Sequence, residues 1–335
     1  MLYITNMWPN ELEPYSGIFI AREVKHLKRR GIDVEIVFIN GRKSKLEYIK
    51  SLLVIFDRLS KKKFDVINVQ HSLLLPQTLL AKKLLRLKAP MIYTFHEGEL
   101  SNKSAGSIIE AIFASRKWKA AFIKYVDFVI ARNAQILGDC GNKPVLEMPS
   151  PVDAEIFKPL DKAECRSKLH LRMNKAVIFF PADPKVPGKN FAFLKEVVEE
   201  LNKSREQEFE IITGPVLPEE MALYYNACDV VCLPSLYEAS PVVIREAMAC
   251  SRPIVASDVG DIGQTIRNVD GCFVVRDWNK NDFGECILKT LQYESTKGRE
   301  RILEMGWDSE TSAKRMLSAL NQLTHSAKPQ RRKAQ

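Results

Sequence analysis

Short apolar runs recur along the chain, separated by stretches with helical spacing. Residues 2–6, 34–39, 65–69, 91–95 and 128–131, mostly apolar, read as buried strands. Between the first two, residues 18–30 place Phe19, Ile20, Val24 and Leu27 on one helical side, and Gly31 ends the helix. The second half repeats the scheme, with strands at 176–180, 209–213, 229–233, 254–257 and 272–275 and helices between them. Strands alternating with helices predict an α/β chain with doubly wound, Rossmann-like parallel sheets. Pro144, Pro149, Pro151 and Pro159 cluster as prolines do nowhere else, which puts a domain boundary near residue 150. The expected division is 1–150, 151–308, a helix over 309–324 that packs back on the first domain, and a disordered basic tail over 325–335. Two such domains joined by a proline-rich crossing imply a cleft.

The most informative stretch runs from Pro234 to Cys250, where Glu238 and Glu246 bracket seven residues. The strand before it stops at Pro234. Ser240 then reads as an N-cap and Pro241 as the first residue of a helix over 241–250, stopped by Ser251-Arg252-Pro253. Strand, turn, helix and strand make a βαβ unit, and open α/β sheets bind ligands at the carboxyl ends of their strands. Glu238 falls in that loop, and Glu246 lies about a turn and a half into the helix. The free amides of a helix start attract a diphosphate. Two acceptor carboxylates beside an anion site suit a nucleotide sugar, whereas solvated surface glutamates are the plainer alternative.

The wording around the pair is more specific than its spacing. Pro-Ser-x-x-Glu at 234–238, Glu246-Ala-Met-Ala-Cys250 and Pro253-Ile-Val-Ala-Ser-Asp-Val-Gly260 resemble the signature of retaining glycosyltransferases of family 4, which have the GT-B fold. The resemblance runs over about residues 1–325 and implies roles for single residues. Glu246 would bond the ribose hydroxyls of the donor and Glu238 would face the donor sugar, with the backbone of Ala239, Ser240 and Pro241 along its phosphates. Lys189 matches the family's diphosphate-clamping lysine. The usual arginine is missing: Asp183 occupies its neighbourhood, and Lys185 is the candidate substitute. Gly17 resembles the glycine that lets backbone approach the diphosphate, and Gly214 the start of the loop that borders the base. Thr94-Phe-His-Glu-Gly-Glu99 resembles the family's His-Gly-x-Asp segment, which would bring His96 near the transferred sugar. Each has a structural alternative: a turn glycine, a satisfied histidine, a surface lysine. Ala239 stands where glycine is usual, and Gly260-Asp261 replaces a common Gly-Gly.

Composition narrows the setting. Residues 1–150 hold 24 Lys and Arg against 14 Asp and Glu, a balance of +10, while 151–335 hold 26 against 27. The basic half points to an anionic partner. Residues 42–63, with Leu52, Leu53, Ile55, Phe56 and Leu59, and residues 108–125, with Arg116, Lys117, Lys119 and Lys124, read as basic amphipathic helices that could lie on an anionic membrane surface or simply cover a core. No nucleic-acid-binding module is recognisable. Seven scattered cysteines without Cys-x-x-Cys predict free thiols in a reducing cytoplasm. No Asp-x-Asp clamp occurs, so no metal and no cofactor beyond a UDP- or GDP-sugar donor are expected.

These readings lead to a cytoplasmic retaining sugar transferase, peripheral at the membrane, acting on a glycan or lipid-linked acceptor of the cell envelope. The donor would lie on the second domain. A non-catalytic nucleotide-sugar-binding or partner subunit, a GT-B epimerase and a phosphorylase are the alternatives.

Overall fold

A computed structural model describes residues 1–41, 43–44, 46–96, 121–133, 142–204, 207–214, 216–238 and 240–326. Ala239, Glu97, Cys140, most of the basic segment 108–125 and the tail beyond 326 lie outside the described residues. In chain order the first stretch forms β1 (Leu2–Thr5), α1 (Ile18–Arg29), β2 (Glu35–Phe38), α2 (Leu46–Lys61), β3 (Ile67–Val69), α3 (Leu75–Leu84), β4 (Met91–Phe95), β5 (Phe128–Ala131) and β6 (Val145–Glu147). There follow α4 (Lys162–Lys168), β7 (Ala176–Phe180), α5 (Phe191–Ser204), β8 (Phe209–Thr213), α6 (Met221–Ala227), β9 (Val230–Leu233), α7 (Val242–Ala249), β10 (Ile254–Ser257), α8 (Ile262–Thr265), β11 (Cys272–Val275), α9 (Lys280–Thr290), α10 (Gly298–Glu304) and α11 (Ser309–Ser326).

The chain divides into two compact units. The first comprises Met1–Glu11, Ser16–Pro149 and Glu310–Gln335, the second Leu12–Tyr15 and Ser150–Ser309. The first has a six-stranded sheet in the order β2-β1-β3-β4-β5-β6, every pairing parallel. Period-two alternation sends β1 side chains to opposite cores. Leu2 and Ile4 pack with Ile55 and Leu59 of α2 and Leu75 and Ala81 of α3. Tyr3 packs with Ile20, Val24 and Leu27 of α1 and with Ala313, Met316 and Leu320 of α11. Helices on both faces are why these strands are mostly apolar, and the buried polar Thr94 and Asn68 side chains bond each other at 2.8 Å.

The second unit has a five-stranded parallel sheet in the order β11-β10-β9-β7-β8. Val177 and Phe179 face a core shared with Tyr225, Ile244 and Met248, and Ala176, Ile178 and Phe180 face Leu194, Val197 and Phe283. Counted from its own first strand, each unit runs second, first, third, fourth, fifth, and the first unit adds a sixth at the edge. This is the order whose switch point lies between the first and third strands, where neighbouring connections leave in opposite directions and open a crevice at the carboxyl ends. In the first unit the crevice lies above β1 and β3, in the second above β7 and β9.

The structure corrects two sequence readings. The helix expected over 241–250 begins at Val242, with Pro241 rather than Ser240 as its N-cap. Strand β6 has no counterpart among the expected elements, because Val145 and Glu147 are exposed and give no apolar run at the sheet edge.

Candidate functional site

In the second unit, the loop after β7 is built by local hydrogen bonds. The Asp183 carboxylate accepts from the Lys185 N–H at 2.8 Å. A 3-10 turn, Pro187–Lys189, follows, and Asn190 ends it in the left-handed region at φ 57°. The loop after β9 docks on it. The Leu236 N–H donates to the Gly188 carbonyl at 2.9 Å. The Tyr237 ring covers Gly188, where a Cβ would meet its hydroxyl at 2.5 Å and displace the side chain.

That docking brings Lys189 to Glu238. The Lys189 Nζ lies 2.5 Å from Glu238 Oε1, and the Ser235 hydroxyl donates to the same oxygen at 2.6 Å. The Glu238 side chain is 11% exposed and that of Lys189 29%. A cation and an anion therefore meet, partly screened from water, at the crevice between β7 and β9. Lys185, the candidate second cation, is exposed. Gly214 donates its N–H to Phe180 at 2.8 Å, and a Cβ there would meet the Ala182 N at 3.1 Å, which sets β8's end tightly against the β7 loop.

Glu246 is buried within α7, and its Oε2 accepts from the Tyr225 hydroxyl of α6 at 3.0 Å. Ser240 does not cap α7. Its hydroxyl donates to Asp261 Oδ2 at 2.7 Å, and the same oxygen takes the buried Arg245 guanidinium. Arg245 also reaches the Thr265 hydroxyl at 3.3 Å and lies over the Trp307 ring. Pro241, with ψ 118°, sets the extended entry to the helix, whose N-cap makes no side-chain bond.

In the first unit, the His96 Nε2 lies 2.6 Å from Gln70 Oε1, just beyond the carboxyl ends of β4 and β3. Phe19 packs against its ring at 5.3 Å. Burial, reinforced by the charge of Arg132 and by His71, holds the imidazole well below its ordinary pKa, so it is neutral at pH 7. Gly17 adopts φ 67°, and a Cβ would fall 2.5 Å from the Met7 carbonyl carbon. The requirement for glycine there comes from the protein's own backbone. A buried ion pair, Arg132–Glu23 at 2.6 Å, takes the Tyr3 hydroxyl at 2.9 Å on the other carboxylate oxygen.

Sequence reasoning did not assign Ser235, Tyr225, Gln70 or the Arg245–Asp261 pair. Ser235 stood inside the quoted Pro-Ser-x-x-Glu stretch; the other partners join elements separated in sequence. The six described cysteines are free, and burial pushes the Cys228 thiol up to about 12, which keeps it protonated. No helix among the described residues is long and apolar enough to cross a membrane.

Comparison with known proteins agrees with this architecture. Residues 187–293, which include Lys189, Glu238 and Glu246, match the family Glycosyl transferases group 1. A D-inositol 3-phosphate glycosyltransferase of Rhodococcus erythropolis is 38% identical over 73 residues, 22% of this chain and 16% of that protein. In eight such curated relatives the matched stretch spans 16–37% of their own length. Sucrose-phosphate synthase from Thermosynechococcus elongatus superposes with a TM-score of 0.74 at 17% identity, over 97% of this chain and 99% of that one. HepE from Anabaena, solved with UDP and glucose, gives 0.66 at 16% identity, over 96% and 99%. The chain has the GT-B fold, and its second unit carries a glycosyl transferases group 1 segment.

Proposed function

We propose that this chain, with its group 1 segment on a GT-B fold, is a glycosyltransferase of family 4 that uses a nucleoside-diphospho-sugar donor and retains configuration at the transferred carbon. The observation that carries the reading is the Lys189–Glu238 pair at the crevice between β7 and β9. Lys189 supplies positive charge for the departing diphosphate, the largest electrostatic demand of the reaction. Glu238 supplies an acceptor for sugar hydroxyls, and the buried Glu246 carboxylate one for the ribose. The backbone around Ser240 and Pro241 meets the phosphates at the start of α7.

In the reaction the bond from the anomeric carbon to the diphosphate oxygen breaks while the acceptor oxygen bonds that carbon on the same face. The hydroxyl proton passes to the departing phosphate oxygen. No metal enters this account. The first unit, basic and with His96 at the carboxyl edge of its sheet, is assigned to the acceptor, a glycan or lipid-linked sugar of the cell envelope. That HepE was solved with UDP and glucose supports a UDP-sugar as the first donor to try.

Calorimetry of the purified chain with UDP- and GDP-sugars tests the reading, followed by slow donor hydrolysis without acceptor. Saturable binding that Glu246→Ala weakens is expected; no binding of any nucleotide sugar removes it. A second reading, a binding subunit without turnover, is favoured by Asp183, which stands in the neighbourhood where family members carry an arginine. It predicts donor binding with neither hydrolysis nor transfer.

A further inference from the structure

Helix α2 carries two apolar stripes. Ile55 and Leu59 are buried, with Leu52 and Phe56 packed beside them, so most of the apolar residues read from the sequence as a membrane-facing side cover the core instead. A second stripe faces outward: Leu46, Ile49 and Leu53, the last two each 73% exposed, lie at i, i+3 and i+7 with Lys50 between them. Helix α3 packs beside α2 and also exposes leucines, Leu80 and Leu84, one turn apart. Against α3 lies a cavity of about 560 Å³ lined by Leu79, Leu80, Leu87, Phe122 and Tyr125. Its remaining walls are Lys82, Lys83 and Arg86.

Single exposed leucines are ordinary on a soluble protein, but leucines gathered on two neighbouring helices, beside an apolar cavity rimmed by cations, are not. The charge lining the cavity is one-sided, whereas on α2 Lys50 pairs with Glu47 and Lys61 with Asp57. Lys83 and Arg86 are exposed and have no acidic partner among the described residues. Lys124 lies over the Tyr125 ring at 5.0 Å. Asp127 holds Lys82 at 3.9 Å and also accepts from the Met91 N–H at 2.7 Å.

We propose that the outer face of α2 and α3, with the cavity beside α3, is a docking surface for an anionic phospholipid bilayer. Leu46, Ile49, Leu53, Leu80 and Leu84 enter the acyl boundary, while Lys83, Arg86 and Lys124 reach phosphate head groups on their flexible stems. The cavity receives the first part of one acyl chain, with the head group at the Lys82–Arg86 rim. Long, singly charged lysines suit a mobile lipid surface better than they suit a rigid protein partner, which favours bidentate arginine. The inference goes beyond the sugar-transfer reading and does not depend on it.

The test is co-sedimentation of the full chain with phosphatidylcholine vesicles, with and without phosphatidylglycerol, at low and high salt. The chain is expected to bind only the anionic vesicles, and less as salt rises. Lys83→Glu together with Arg86→Glu is expected to weaken binding about tenfold or more, because each cation near such a surface contributes about fivefold. Leu80→Ser with Leu84→Ser is expected to weaken it with the charge unchanged. All four residues are exposed, and unchanged thermal melting will show that the variants fold. Equal binding to neutral vesicles, or none to either, overturns the proposal. So does full binding by both double variants, or a loss seen only when Arg116 and Lys117 are reversed.

Discussion

Lys189 and Glu238, 49 residues apart in sequence, close onto each other at 2.5 Å where the loops after β7 and β9 meet. Without a ligand each neutralises the other. If Lys189 clamps the donor diphosphate, that group competes with Glu238 for the lysine and frees the carboxylate for sugar hydroxyls. Lys189→Ala is therefore expected to weaken nucleoside-diphosphate binding by about 1.5–3 kcal/mol, the worth of a hydrogen bond to a charged group. Lys189→Arg should restore part of it. Calorimetry with UDP and with uridine separates the outcomes: only the diphosphate should respond. An equal loss for uridine would mean that Lys189 supports the loop rather than the phosphates.

The Tyr225 hydroxyl donates to Glu246 at 3.0 Å in a buried setting. Tyr225→Phe removes the hydroxyl and leaves the ring packed against Phe157 and Phe179. The expected cost is about 1 kcal/mol of stability by urea unfolding. If Glu246 meets the ribose, donor affinity falls in this variant too. Stability loss at unchanged affinity would confine the pair to packing.

His96 gives a pH signature. Its folded pKa is depressed by burial, so between that value and the ordinary value near 6.5 the unfolded chain binds the proton and the folded chain does not. Stability then falls as the pH drops below about 6.5 and levels off beneath the folded pKa. His96→Gln cannot take up that proton and should show a flatter profile over the same range. Urea unfolding of both proteins from pH 7.5 to pH 5 checks it; parallel profiles would mean that His96 does not titrate differently on folding.

Gly17→Ala tests where the need for glycine originates. Left-handed backbone alone costs a residue with a Cβ about 1–2 kcal/mol. The clash with the Met7 carbonyl carbon at 2.5 Å adds to this. Thermal unfolding should therefore drop even without nucleotide. An unchanged melting temperature with weakened donor binding would return the glycine to the diphosphate.

Much of this fold was legible because parallel strands buried on both faces write themselves as apolar runs. Residues 91–95, 128–131, 176–180, 209–213, 254–257 and 272–275 coincide with observed strands. The edge strand β6 was not legible, since Val145 and Glu147 are exposed. The start of α7 was misread for a different reason. A serine before a proline predicts a cap, but the Ser240 hydroxyl is taken by Asp261, 21 residues on, and no local rule contains that partner. The motif named Glu238, Glu246 and Lys189 singly. Only the fold showed that two of them form a pair, and that most of the apolar residues read from α2 turn inward while other leucines face out.

The Arg245–Asp261 pair yields the largest stability effect to expect. Arg245 is almost wholly buried, and its Nε and Nη1 have no hydrogen-bond partner among the described residues, so Asp261 supplies its counter-charge, with Thr265 and the Trp307 ring beside it. Asp261→Ala leaves a buried guanidinium without a counter-charge, which typically costs 3–5 kcal/mol. It also releases the Ser240 hydroxyl beside the entry to α7. Arg245→Met combined with Asp261→Ala removes both charges at similar volume, and buried pairs replaced in this way are often neutral in stability. The double variant is therefore expected to unfold at nearly the wild-type urea midpoint, and the single variant far below it. If Ser240 needs Asp261 to hold the phosphate-facing backbone, the double variant will be stable yet bind nucleoside diphosphate weakly. Wild-type affinity in that stable double variant would show that the pair serves the fold alone.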